Sequence, residues 1–197
     1  RSDWAWLVMR PGEDPLLALA SAFTRLWLKD PTDPARGPMA RKWADGLRGG
    51  NRLDDLINAT QETLEAREGA KPARILLYLD QAEELYTRAA QAAPSDARRF
   101  SELLAEGLAD PRLISFGSLR ADYFDRFQAD APLFAAYEHV NVPPLATSQL
   151  REVIIAPPRA LGVTFEEERL PDRIVAAAEA PGALPLLSYL LTDMWSA

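Results

Sequence analysis

The five residues Ile75-Leu76-Leu77-Tyr78-Leu79 form an unbroken apolar run that ends in Asp80. A run this short and continuous reads as a strand buried on both faces, as in a parallel sheet covered by helices. A piece of buried helix would read the same way. Pro72 just before it and the β-favouring Ile75 and Tyr78 favour the strand. An acid at the carboxyl end of such a strand stands where open α/β sheets bind ligands. A carboxylate there can hold Mg²⁺ beside a triphosphate, and Glu83 or Glu84, one turn later, could position or deprotonate a water. The plainer alternative is a buried strand followed by a helix-capping Asp, with acids in the first helical turn where the helix dipole favours them.

Further strands and helices alternate around this run. Trp4–Met9 predicts a strand, stopped by Arg10-Pro11-Gly12. Leu16, Leu19, Ala20, Phe23, Leu26 and Trp27 recur at helical spacing, so a helix is expected from Pro15 to about Leu28. Lys29–Pro38, with three prolines, two aspartates and a glycine, predicts a surface loop. Trp43 and Leu47 suggest a short helix before Gly49-Gly50, and Leu53, Leu56, Ile57, Thr60 and Leu64 mark another. After Asp80 a helix should carry Leu85 and Tyr86. Ser95 is the expected cap of a helix holding Phe100, Leu103, Leu104 and Leu108. Leu113–Leu119 is a second buried-strand candidate, weakened by Gly117 inside it. A helical stretch from Tyr123 to Tyr137 is expected to break at Pro132, and Glu138–Val142 reads as a last short strand.

From Leu145 onward the pattern is helical. Thr147 or Ser148 should cap a helix that Pro157-Pro158 breaks or kinks. Two more helices follow, one through Leu170, Ile174, Val175 and Ala178, the other through Leu184, Leu187, Leu190, Leu191 and Met194. The expected architecture is α/β: a parallel sheet flanked by helices over 1–143, then a small helical subdomain over 144–197.

Composition narrows the chemistry. The 197 residues are 48% hydrophobic and 26% charged, ordinary values for a globular protein. The absence of cysteine excludes disulfides and thiolate metal sites. A single histidine, His139, leaves no multi-histidine zinc site and argues against a Ser-His-Asp triad. A formal net charge of −7 argues against broad nucleic-acid binding. No apolar run approaches the roughly 20 residues of a membrane span, and Trp4–Met9 is too short for a signal peptide, so a cytoplasmic location is expected. Plentiful Ala, Arg and Pro hint at a GC-rich bacterial source.

Four stretches, in order, carry a family resemblance: W-A-W-L-V-M-R-P-G-E-D-P-L-L-A-L-A (Trp4–Ala20), I-L-L-Y-L-D-Q-A-E-E-L-Y-T (Ile75–Thr87), S-L-R-A-D-Y-F (Ser118–Phe124) and A-P-G-A-L-P-L-L-S-Y-L-L-T-D-M-W (Ala180–Trp195). Together they resemble the nucleotide-binding module of STAND-class P-loop NTPases, in the bacterial group often fused to WD40 repeats. The resemblance implies roles. Asp80 matches the Mg²⁺ acid that ends the Walker B strand, and Glu83 or Glu84 is the candidate for positioning water. Gln81 stands where many relatives carry a second acid, a departure from the family's pattern. Arg120 matches a sensor arginine for the γ-phosphate, against the alternative of a surface salt bridge with Asp122. Pro185 matches the proline of a short Gly-x-Pro motif that packs on adenine, with one residue more between Gly182 and Pro185 than that motif has, or with Ala183 in place of the glycine. A helix-start proline is the alternative.

The phosphate loop G-x-x-x-x-G-K-[ST] is absent from the sequence: none of the ten glycines opens such a run, and no Gly-Lys pair occurs. The chain therefore resembles a module cut just after that loop, with the first strand of the sheet missing, or a member without it. Such a loop supplies most of the β/γ-phosphate binding. Mg²⁺ and ATP are thus expected in an intact parent protein, and neither is expected to bind this chain tightly. The implied function is a regulatory ATPase switch. Nucleotide between sheet and helical subdomain would control fused or bound partners, WD40 repeats or an effector domain. The alternative is a non-hydrolysing interaction module. A sheet that lacks a strand also predicts self-association.

Overall fold

A computed structural model describes residues 4–72, 74–178 and 183–196. The chain divides into two compact units, Arg1–Glu138 and His139–Ala197.

The first unit is built on a three-stranded parallel sheet in the order β1 (Trp4–Met9), β2 (Arg74–Leu79), β3 (Leu113–Gly117). Trp4 pairs with Arg74 and Met9 with Leu79 across β1 and β2, and Leu79 pairs with Gly117 across β2 and β3. All three strands thus end level, and their carboxyl ends form one rim.

Between β1 and β2 run α1 (Pro15–Trp27), α2 (Arg36–Arg48) and α3 (Leu53–Glu68). Asp14 starts α1 by accepting the Leu17 amide at 2.9 Å, with Pro15 preset for the first turn. Asp55 accepts the Arg52 amide at the start of α3, and Gly69, at φ 72°, ends that helix in the left-handed conformation that glycine tolerates. The helix at Trp43 is longer than its sequence suggested. It begins at Arg36 and takes Pro38 into its first turn, where the missing proline N–H costs no hydrogen bond.

A turn of 3₁₀-helix (Ala82–Leu85) and α4 (Arg88–Ala92) follow Asp80, in place of the single helix expected there. Next comes α5 (Pro94–Gly107), which starts on Pro94 after Ala93, not on a Ser95 cap. Phe100, Leu103 and Leu104 of α5 are fully buried with Phe23, Leu16, Leu56 and Ile57. The start of α3 lies so close to the end of α5 that a Cβ on Gly107 would collide with Leu53.

After β3, a 3₁₀ turn (Ala121–Tyr123), α6 (Phe124–Ala129) and α7 (Ala131–Ala136) replace one interrupted helix. The break falls at Asp130, not Pro132. The Asp130 carboxylate caps α7 at the Leu133 amide and accepts the Ser101 hydroxyl at 2.7 Å and the Tyr86 hydroxyl at 3.3 Å. Burial beside that carboxylate holds the Tyr86 phenol neutral, well above its usual range.

Two further expectations fail. β2 is not buried on both faces. Ile75, Leu77 and Leu79 are buried with Ala5, Leu7, Met9 and Leu113, whereas Leu76 and Tyr78 are half-buried and Trp6 and Val8 on β1 are 63% and 55% exposed. Nor is Glu138–Val142 a strand. Those residues are exposed and take no part in the sheet, in which β3 pairs only with β2 among the described residues.

The second unit holds α8 (Thr147–Ala160), α9 (Leu170–Ala178) and α10 (Leu184–Ser196). Leu150, Ile154, Ile174, Val175, Ala178 and Leu187 form its core. Neither Thr147 nor Ser148 caps α8. The Gln149 side chain does so by accepting the Ala146 amide at 2.8 Å. The helix continues through Pro157 and Pro158 to Ala160; the two prolines lack the N–H groups that would reach the Val153 and Ile154 carbonyls, and only two helical residues follow them.

Candidate functional site

The site lies on the carboxyl rim of the sheet. Met9 and Leu79 are paired, so the next residues, Arg10 and Asp80, emerge side by side. The Asp80 amide donates to the Met9 carbonyl at 2.8 Å, which fixes the carboxylate at the strand end. Arg10 Nε donates to Asp80 Oδ2 at 2.7 Å. The Tyr78 hydroxyl donates to Oδ1 at 3.2 Å, and the Ser118 hydroxyl lies 3.3 Å from the same oxygen. Ser118 is placed by its own amide, which donates to the Leu79 carbonyl at 3.0 Å. Tyr78 is braced by stacking on Phe116, with ring centroids 4.6 Å apart. The hydrogen bond from Arg10 is the main reason the Asp80 carboxyl is held below the ordinary carboxylate range; partial burial works against it.

Beyond Asp80 the backbone turns sharply. Gln81 has φ 54° and ψ 55°, the left-handed region that a residue with a Cβ enters at a cost. Two bonds hold it there, Gln81 N–H to Ser118 Oγ at 3.1 Å and Ala82 N–H to the Ser118 carbonyl at 2.8 Å. The turn carries Glu83 and Glu84 to the rim with different partners. Glu84 accepts the Gly12 amide at 2.9 Å and pairs with Arg88 at 3.5 Å, so both its oxygens are engaged. Among the described residues the Glu83 carboxylate has a single long contact, from the Arg120 amide at 3.4 Å.

The Arg120 guanidinium donates through Nε and Nη2 to the two oxygens of Asp122, at 3.1 and 2.8 Å, and lies over the Tyr123 ring. That is the salt bridge weighed against the sensor role. Pro185 is exposed at the second position of α10, in the other unit, and Gly182 of its motif lies outside the described residues.

The oxygens around Asp80 suit Mg²⁺ in one way only. Among the described residues no group of three or more His, Asp or Glu side chains could cage a metal. Mg²⁺ does not require one; it commonly uses one or two carboxylates, several waters and substrate phosphates. A lone hard carboxylate flanked by hydroxyls fits an ion that arrives with a phosphate. Among the described residues no helix is long and apolar enough to cross a membrane.

A cavity of about 470 Å³ opens elsewhere, between Arg52, Asp54, Glu106, Asp110 and Arg112 at the amino end of β3. Its main cation, Arg112, is already committed to Asp110, Asn58 and Gln61. Arg112 is thus spent within the fold, whereas on the Asp80 rim Arg10 bonds through Nε alone among the described residues.

A family profile described as Novel STAND NTPase 1 matches residues 1–197. The chain belongs to that family. No curated protein matches it, and no solved structure does. Membership makes this STAND NTPase one of a family of nucleotide-using proteins, in which Mg²⁺ generally accompanies the nucleotide. Its rim holds three residues that sequence reasoning did not assign to a site: Arg10, Tyr78 and Ser118. A usable signal existed for Arg10. In a parallel pair of equal strands that end together, the residue after each strand is a neighbour of the other.

Proposed function

We propose that this chain is part of a regulatory STAND ATPase switch that couples ATP binding to the rearrangement of partner or effector domains, WD40 repeats among them. The observation that carries the reading is the Asp80 carboxylate at the end of the middle strand, ringed by Arg10, Tyr78 and Ser118. In this reading Asp80 is the Mg²⁺ acid. Glu83, whose carboxylate is nearly unspent, positions water, while Glu84 anchors the Gly12 loop. Arg120 leaves Asp122 to meet the γ-phosphate, and Pro185 is the candidate contact for adenine. Without a G-K-[ST] loop in its sequence the chain should hold nucleotide only weakly. A second reading, an interaction module without turnover, is favoured by the exposed Trp6 and Val8 on β1 and by Leu186 and Tyr189 on α10, 71% and 74% exposed.

Parallel titrations with Mg–ATP and Mg–ADP, read by two-dimensional amide NMR at millimolar nucleotide, separate the readings. Asp80→Asn should keep the fold and weaken both nucleotides when Mg²⁺ is present, because a neutral amide is a poor ligand for a hard dication. Arg120→Ala should weaken ATP about tenfold and spare ADP, the worth of a charge-assisted contact that ADP cannot make. Equal losses for ATP and ADP in Arg120→Ala would remove the sensor role. An unchanged Asp80→Asn would leave the interaction module.

A further inference from the structure

Two arginines stand on this rim, and their bonding differs. Arg120 spends two nitrogens on an aspartate two residues away. Arg10 spends only Nε, on an aspartate 70 residues away, and its two terminal nitrogens have no hydrogen-bond partner among the described residues. Its side chain is 60% exposed, so the guanidinium is held by one bond and can swing. We propose that Arg10 is a phosphate-binding residue that rests on Asp80 and trades that partner for a phosphate when a divalent cation takes the carboxylate. The proposal rests on Asp80 being the Mg²⁺ acid.

Charge carries the argument. A dication on Asp80 would sit within a few ångströms of the Arg10 guanidinium, and the two cations repel. A metal arriving alone therefore breaks an ion pair and strands Arg10 without a counter-charge. A metal arriving with a polyphosphate does not. Asp80 passes to the metal, and the planar fork of Arg10 passes to the phosphate oxygens, whose geometry it matches. Every charge is matched before and after the exchange. The pair thus makes the rim selective for a metal–polyphosphate over metal alone, and it makes Arg10, not the locally neutralised Arg120, the first cation to meet the phosphates.

The exchange predicts opposite effects of one substitution. In the full 197-residue chain, Mn²⁺ binding is read by paramagnetic broadening of the Gln81 and Ser118 amides, and Mg–ATP binding by shifts of the same signals. Arg10→Gln should lower the Mn²⁺ midpoint about two- to fivefold, the worth of an exposed ion pair. It should raise the Mg–ATP midpoint about fivefold or more, because a charge-assisted phosphate contact outweighs the freed carboxylate. Arg10→Lys should keep the Mn²⁺ midpoint within about twofold, since its charge remains, and still weaken Mg–ATP, since its fork is gone. A merely structural Arg10 would move both midpoints the same way or neither, and that result overturns the proposal. If Asp80→Asn leaves Mn²⁺ broadening at Gln81 and Ser118 intact, the Mg²⁺ reading of Asp80 falls and the exchange falls with it. If Asp80→Asn abolishes the broadening and Arg10→Gln changes nothing, only the exchange is wrong.

Discussion

The sheet has a closed face and an open rim, and the two are built from different materials. Under the helices, Leu7, Ile75, Leu77, Phe23 and Phe100 are sealed from water, and the buried hydroxyls of Thr24, Thr60 and Ser101 are all hydrogen-bonded. At the strand ends, Arg10, Tyr78, Asp80 and Ser118 are linked by hydrogen bonds of 2.7 to 3.3 Å and remain reachable from solvent. Stability should therefore reside in one region and ligand chemistry in the other. A substitution in the closed face should move stability and leave ligand chemistry, and one in a polar side chain of the rim should do the reverse.

The largest effect belongs to the closed face. Phe100→Ala should cost about 3–5 kcal/mol, because the ring is fully buried and the helices around it cannot collapse completely into the space. Urea unfolding measures it, and a loss under about 1 kcal/mol would mean that face is not the core. The comparison sharpens at Gln81, where the backbone of the rim is strained. Gln81→Val should cost about 1–2 kcal/mol, since a β-branched residue tolerates positive φ poorly, while Gln81→Gly should stay within about 0.5 kcal/mol of the parent. Equal stabilities for the two variants would show that the turn relaxes and stores nothing.

The smallest effect should come from the carboxylate itself. Asp80→Asn should change stability by less than about 1 kcal/mol at neutral pH, the range of exposed ion pairs. Its pH dependence has a definite sign. The folded Asp80 carboxyl is depressed by Arg10, so its contribution is present above the ordinary carboxylate range of about 3.9. That contribution disappears as pH falls through the lower, folded value. The stability gap between parent and Asp80→Asn should therefore narrow on acidification below about pH 4. A gap that widens there would mean Arg10 does not govern the carboxylate.

Much of the closed face was legible in the sequence, and the reason is local. Ile75–Leu79 and Trp4–Met9 are apolar and β-favouring, and α1 shows its buried stripe from Leu16 to Trp27 as a helical period. Asp80, Glu83 and Glu84 could be placed near the rim because each follows a readable strand. What could not be read depends on partners distant in the chain. Val140 and Val142 have strand character, but a strand also needs a partner strand, and residues 138–142 take no part in the sheet among the described residues. The turn after Asp80 is 3₁₀ and not α because Ser118, just past the end of β3, holds Gln81 and Ala82 in place. Arg10 escaped notice because Arg-Pro-Gly reads as a turn, and its bond to Asp80 exists only once β1 and β2 lie in register.

The account's central claim is that Mg–ATP meets this chain at the carboxyl rim of the sheet. Mapping the backbone amides that shift as Mg–ATP is raised to millimolar concentration tests it most directly. The account predicts shifts at Arg10, Gly12, Asp80, Gln81, Ser118 and Arg120, lost when Mg²⁺ is withheld or Asp80 is changed to Asn. Shifts gathered instead at Asp54, Asp110 and Arg112, or none at the strand ends, would contradict it.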